Sequence, residues 1–260
     1  MAESDGKAAH AVRTVLTGLC WAIFGCGGLL LSLTVLPAAR HLAPSEREGI
    51  LKARRVLSAS FRLYFRVLRA FGIADIDASA LRPLRTQKSA VIAANHPTLL
   101  DYVVVTSALP EACCLVKADL LRNFFLRRVI READYLANSE DPEALLEECG
   151  KRLASGECLL IFPEGTRTKP GQQMRLKRGA AQIALRAGAP IAAVRIKCTE
   201  TWLVKGAPWY SLPSRKPRIT ASPAGTIRTN ETKNSDASLH AEASRITSDL
   251  ARLLGLGNEP

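Results

Sequence analysis

The stretch SAVIAANHPTLLDYVVVTSAL, residues 89–109, changes character half-way along. Ser89 to Ala94 are small or β-branched and suit a buried strand, whereas Pro97 to Ala108 form a longer apolar run opened by a proline, which reads as a helix. A strand feeding straight into a helix is the repeating unit of an α/β domain. The same alternation continues outward. Further strands are expected near Ala112–Val116, Glu157–Phe162, Ile191–Lys197 and Arg218–Ala224. Helices are expected near Leu120–Glu132, Pro142–Leu153, Gly179–Ala187 and Ala237–Leu254. Asp141 before Pro142 is a helix-start signal, an N-cap side chain followed by proline at the first helical position. The fold class expected is α/β: one domain with a central mixed sheet flanked by helices. The stretch from Gly206 to Pro217, with four prolines, reads as a loop able to cover a site.

His96 and Asp101 stand where the first strand gives way to its helix, and the strand ends of α/β sheets are where such domains place their chemistry. Inside one helix, five positions would set the two side chains about 140° apart around the axis, unable to meet. Pro97 is expected at the first helical position, which pushes His96 out of helical geometry and lets it fold back toward Asp101. A carboxylate on one imidazole nitrogen fixes the tautomer and leaves the other nitrogen basic. In a direct transfer, the hydroxyl of a substrate would supply the nucleophile. On spacing alone, local capping roles for both residues come first; a second block reverses that order.

That block is CLLIFPEGTR, residues 158–167, an apolar strand running into Pro163-Glu164-Gly165-Thr166-Arg167. Glycine permits close backbone approach, and an arginine beyond it offers a planar fork suited to phosphate. Lys169, Pro170 and Gly171 follow, and then Arg175, Lys177 and Arg178, cations able to hold an acidic carrier or a phosphorylated thioester donor.

With these blocks in order, the chain resembles the glycerolipid acyltransferases, which include the lysophosphatidic acid acyltransferases. The matching segments are NHPTLLD at 95–101, FPEGTR at 162–167 and GAPIAAV at 188–194, and the likeness covers about residues 50–200. It implies an acyltransferase domain, an acyl-CoA or acyl carrier protein donor, a lysolipid acceptor, and His96 as a base paired with Asp101. It also implies acceptor contacts from Glu164, Gly165 and Arg167; Asn95, Thr98 and Thr166 stand in the same blocks as further substrate-binding candidates. No metal or organic cofactor is expected. One segment departs from the family's pattern. Members using lysophosphatidic acid carry between these motifs a glycine-containing segment ending in an arginine. Here Arg127 and Arg128 occupy the glycine's place and Asn138 that of the arginine. Either Arg128 or Arg131 supplies the phosphate contact from another position, or the acceptor lacks a glycerol phosphate headgroup, as an amino-acid or polyene-type lipid would; solvated helix positions are the equal alternative for both arginines. A thioester hydrolase and a non-catalytic lipid-binding module are the competing classes; the first has less reason for a membrane anchor, and the second predicts loss of His96, Asp101 or the Glu-Gly-Thr-Arg turn.

The N-terminal portion accounts for the membrane expectation. No charge falls between Val15 and Ala39, a run of about 25 residues, against roughly 20 needed to cross a bilayer core. Residues 1–45 are therefore expected as a membrane segment and 46–260 as the catalytic domain, including an amphipathic helix over about 47–72. Gly25, Gly27, Gly28 and Pro37 leave room for a bend. Arg40, Lys52, Arg54 and Arg55 outnumber Lys7 and Arg13, which places the domain at the cytoplasmic face of the inner membrane. In the amphipathic helix, Leu57, Phe61, Tyr64, Leu68 and Phe71 form one stripe, facing either a membrane interface or the domain core. The net charge of +12 calls for an anionic partner, and without a nucleic-acid-binding motif that partner is membrane lipid or phosphate rather than nucleic acid. Seven scattered cysteines form no Cys-x-x-Cys pair and read as inert buried hydrophobes, Cys158 included.

Overall fold

The computed structural model describes residues 2–138, 141–168, 174–208, 210–229 and 236–255. The candidate cation Lys169, with Pro170 and Gly171 after it, lies outside the described residues. The chain begins with α1 (Ala2–Leu30), a π turn (Leu31–Val35), α2 (Leu36–His41) and α3 (Glu46–Ala70). It continues through β1 (Asp75–Asp77), a 3-10 stretch (Ser79–Thr86), β2 (Val91–Ala94), α4 (Asp101–Ala108) and β3 (Cys113–Val116). A second 3-10 turn (Ala118–Arg122), α5 (Phe124–Glu132), β4 (Leu136–Ala137), α6 (Pro142–Ala154) and β5 (Leu159–Ile161) come next. Last are α7 (Gly179–Arg186), β6 (Ile191–Cys198), β7 (Arg218–Ile227) and α8 (Asp236–Leu253).

The seven strands form one sheet in the order β1-β7-β6-β2-β5-β3-β4. β6, β2, β5, β3 and β4 run parallel, and β7 turns antiparallel to β6, so the sheet is mixed. Every residue of β2 and β5 is buried, as expected of central strands covered by helices on both faces. Because β2 and β5 are neighbours, the segments leaving their carboxyl ends, 95–100 and 162–168, emerge side by side. Connections from these two strands diverge, β2 to β3 on one side and β5 across β2 to β6, which makes the crevice between them a switch point.

α4 starts at Asp101, four residues after Pro97, so proline does not hold the first helical position. The reason is local: the Thr98 N–H is taken by the Asp101 carboxylate and the Leu99 N–H by the Leu203 carbonyl, which spends residues 97–100 in a turn. Expected Leu120–Glu132 is likewise split, with Asn123 capping α5 by accepting from the Phe125 and Leu126 N–H groups. Asp141 caps α6 as anticipated, accepting from Glu143 and Ala144 N–H.

The stripe of α3 settles on the core: Leu57, Phe61, Tyr64 and Leu68 are buried in it and Phe71 packs against it. Arg54, counted in the sequence among charges flanking a membrane segment, is instead fully buried. Its guanidinium donates to the Ala133, Asp134 and Glu111 carbonyls and pairs with Glu157 at 2.7 Å. Arg40 at the end of α2 donates to the Arg131 and Glu132 carbonyls, satisfying the last turn of α5. α1 runs beside α3, with Phe24 against Tyr64 at 4.9 Å and Cys20 in the core, and Arg13 reaches the Ser214 carbonyl. Its opposite face leaves Val12, Val15, Leu19, Ile23 and Leu30 exposed. The π turn ends beside Pro37, which has no N–H to give the preceding turn, so the helix widens there instead of continuing evenly.

Candidate active site

Strand β2 is followed by Asn95, whose amide donates to the Ile196 carbonyl and accepts the Ile196 N–H at 2.6 Å. Asn95 thus extends the β2–β6 pairing by side chain, which makes it a brace for the next residue. His96 lies in the loop with its side chain 21 % exposed, and its Nδ1 meets Asp101 Oδ2 at 2.8 Å. Asp101 is wholly buried; Oδ2 also accepts the Thr98 N–H at 2.7 Å, and Oδ1 accepts the Thr98 hydroxyl at 2.6 Å. The Thr98 hydroxyl in turn accepts the Leu100 N–H, so it orients the carboxylate. Burial pushes the Asp101 carboxyl above the usual range, opposed by its hydrogen bonds with His96 and Thr98. With Nδ1 held by the carboxylate, Nε2 is the nitrogen available to take a proton.

Glu164 closes the site from β5. One oxygen accepts the His96 backbone N–H at 2.6 Å and the other accepts the Thr168 hydroxyl. Its carboxyl is raised by burial, against the pull of those two donors. Phe162 stacks at a tilt on the His96 ring, centroids 4.7 Å apart. Gly165 has φ +67, and a Cβ there would stand 3.0 Å from the Lys177 side chain, so only glycine fits the turn. Lys177 donates its backbone N–H to the Pro163 carbonyl and lies over this turn, while Thr166 faces solvent.

The Arg167 guanidinium donates to the Leu203 carbonyl at 3.0 Å, and the same carbonyl accepts the Leu99 N–H. Leu203 therefore ties the His96 turn to the Glu164 turn. It is buried at φ +53, a conformation uncommon for a non-glycine residue and found where surrounding contacts enforce it. Nothing in the run Thr201-Trp202-Leu203 signals this role; it is visible only when the loop after β6 folds over the site. Arg128 and Arg131 stand apart on α5. Arg128 faces Glu132 at 3.7 Å, and Arg131 lines a cleft of about 530 Å³ with Arg40, Arg127 and Tyr135. Asn138, in the place of the expected arginine, accepts the Ala118 N–H through its side chain. Burial raises the thiol of Cys158, as it does Cys113, Cys114 and Cys149, which leaves them poor nucleophiles.

The α/β sheet thus carries a His–Asp pair with a buried carboxylate at the carboxyl end of β2, beside a glutamate-bearing turn from β5, an arrangement that supplies a general base. Residues 75–197 match the profile of the family described as Acyltransferase. The chain is 28 % identical over 127 residues to 1-acyl-sn-glycerol-3-phosphate acyltransferase beta of Homo sapiens, covering 44 % of this chain and 43 % of that protein. It is 33 % identical over 100 residues to the 1-acyl-sn-glycerol-3-phosphate acyltransferase of Helicobacter pylori, covering 36 % of this chain and 42 % of the relative. The chain thus aligns with about two fifths of either relative's length. The crystal structure of the 1-acyl-sn-glycerophosphate acyltransferase PlsC from Thermotoga maritima shares the fold, with a TM-score of 0.62 at 16 % identity over 98 % of this chain and 99 % of that one. Over residues 75–197 the chain is thus similar to the glycerolipid acyltransferases.

Proposed function

We propose that this protein moves a fatty acyl group from the thioester of acyl-CoA or acyl carrier protein to a hydroxyl of a lysophospholipid such as lysophosphatidic acid, at a membrane. The observation that carries the reading is the 2.8 Å contact between His96 Nδ1 and the buried Asp101 carboxylate. Nε2 takes the proton of the acceptor hydroxyl as its oxygen attacks the thioester carbonyl. The new ester bond forms as the carbon–sulfur bond breaks, and the imidazolium, stabilised by Asp101, returns the proton to the departing thiolate. Glu164 holds His96 by its backbone, and Arg167 offers its fork to an anionic acceptor from the neighbouring turn. The uncovered apolar stripe of α1, within a segment Ala11–His41 long and apolar enough to cross a membrane, supports a membrane-bound enzyme, read as lying at the cytoplasmic face.

A second reading concerns the acceptor. Asn138 brings no cation where a phosphate contact is expected and closes its own loop, which favours a lipid hydroxyl without the glycerol phosphate headgroup. Incubating the purified protein in detergent with labelled acyl-CoA or acyl carrier protein and a panel of lysolipids, with products identified by mass, decides between the two. No acyl ester product from any acceptor would overturn both.

A further inference from the structure

We propose that the second 3-10 turn and the first turn of α5 form a separate membrane-docking tip, whose apolar side chains enter a lipid bilayer beside α1. This rests on the reading of the protein as membrane-bound. Leu120, Leu121, Phe124, Phe125 and Leu126 are exposed by 36 to 68 %, a concentration of large apolar side chains at the surface that no domain core requires. The two phenylalanine rings meet edge to face at 5.8 Å, so the patch is built around a ring pair instead of scattered side chains. Asn123 fixes the helix start that presents them.

Three observations select lipid as the occupant. Around α5, at about 100° per residue, Phe124, Arg127 and Arg131 share the outward face while Ile130 turns into the core. An apolar tip with arginines one and two turns behind it matches acyl chains with phosphates above them. α5 also packs against the π turn and α2, and its C-terminal carbonyls are held by Arg40, so its N-terminal tip points along the helix toward the exposed Leu30 and Leu33. The tip therefore continues the uncovered stripe of α1. Finally, the tip follows β3, which runs parallel to β5 and so delivers it to the sheet end that carries His96. Leu99, in the His96 turn itself, is 45 % exposed there. Docking at this end would turn the site toward the lipid from which a lysolipid is drawn.

Tryptophan quenching in the full-length protein tests this. Phe124→Trp, and Leu121→Trp as a second variant, are bound to phosphatidylcholine–phosphatidylglycerol vesicles with or without acyl-chain bromination. Lys151→Trp, in the last turn of α6 before β5 begins and so at the sheet end away from the site, serves as control. After subtraction of wild-type emission, about half or more of the emission added at 124 and 121 is lost in brominated vesicles, as for groups at the acyl boundary, and none at 151. Native Trp21 of α1, its emission isolated from that of Trp202 and Trp209 by difference against Trp21→Phe, reports the membrane reading separately. Quenching of native emission with none at 124 or 121 overturns the tip and leaves the membrane reading standing; quenching of neither overturns both. If the added emission is unquenched and Phe124→Glu dissociates an oligomer in sedimentation, the patch belongs to a second copy of the chain and the proposal fails.

Discussion

Asp101→Asn separates the charge of the carboxylate from its geometry. An amide placed with its oxygen at the Oδ2 position still accepts both the Thr98 N–H and the His96 Nδ1–H, and its NH₂ meets the Thr98 hydroxyl, which can rotate to accept. The fold is therefore expected to survive, all the more because a buried carboxylate whose pKa is raised by desolvation is no longer being ionised. What disappears is the negative charge facing the imidazolium. Two unit charges about 4 Å apart at an effective dielectric near 20 interact by about 4 kcal/mol. At about 1.4 kcal/mol per factor of ten, that is a rate loss on the order of a thousandfold. Asp101→Ala should differ by also leaving the buried Thr98 N–H unpaired, at about 1 to 3 kcal/mol of stability. Acyl transfer rates and thermal unfolding of both variants check this. Retention of more than about a tenth of the wild-type rate by Asp101→Asn, with Tm unchanged, would refute the assignment of Asp101 as the group that stabilises a charged His96.

Other perturbations follow from the same geometry. Arg54→Ala removes the four hydrogen bonds of a buried guanidinium and strands the carbonyls of 133 and 134, so unfolding should be easier by about 3 to 5 kcal/mol in denaturant titration. Glu164 has a raised carboxyl pKa in the fold, so its contribution favours the folded state at low pH and is lost as pH rises through that folded pKa; the Tm of Glu164→Gln should gain on wild type between pH 4 and pH 7 (roughly the range above an ordinary carboxylate). A difference that shrinks instead would contradict the burial argument. Arg167→Lys should raise the KM of a phosphorylated lysolipid while leaving that of the donor, and Arg167→Ala should cut acceptor efficiency by well over about tenfold, in line with loss of about 2 to 5 kcal/mol from a charged contact. Equal losses with unphosphorylated acceptors would make Arg167 a brace through Leu203 alone.

The βα alternation and the two site blocks were legible because each is local: β-branched runs mark buried strands, and the two motifs sit where strands end. His96 and Asp101 meet as the proline between them suggested, although through a turn closed by Thr98 and Leu99 and not through a proline-led helix. Roles that depend on distant partners were hidden. Asn95 reads as a substrate contact until Ile196, about a hundred residues on, takes both ends of its amide. Arg54 reads as a surface charge until Glu157 and three carbonyls surround it. The α3 stripe has the same pattern whether it faces lipid or core, and only the sheet beneath it decides. β1 and β4, of three and two residues, are too short to carry a period and exist through pairing with β7 and β3.

The central claim, that Nε2 of His96 is the base for acyl transfer, is tested most directly by His96→Ala in the detergent-purified protein, assayed with acyl thioester and lysolipid alongside far-ultraviolet circular dichroism. The account predicts a loss of at least about a hundredfold in transfer with folding and vesicle binding intact, as for removal of a positioned base. Transfer at near-normal rates by a folded His96→Ala protein would contradict it.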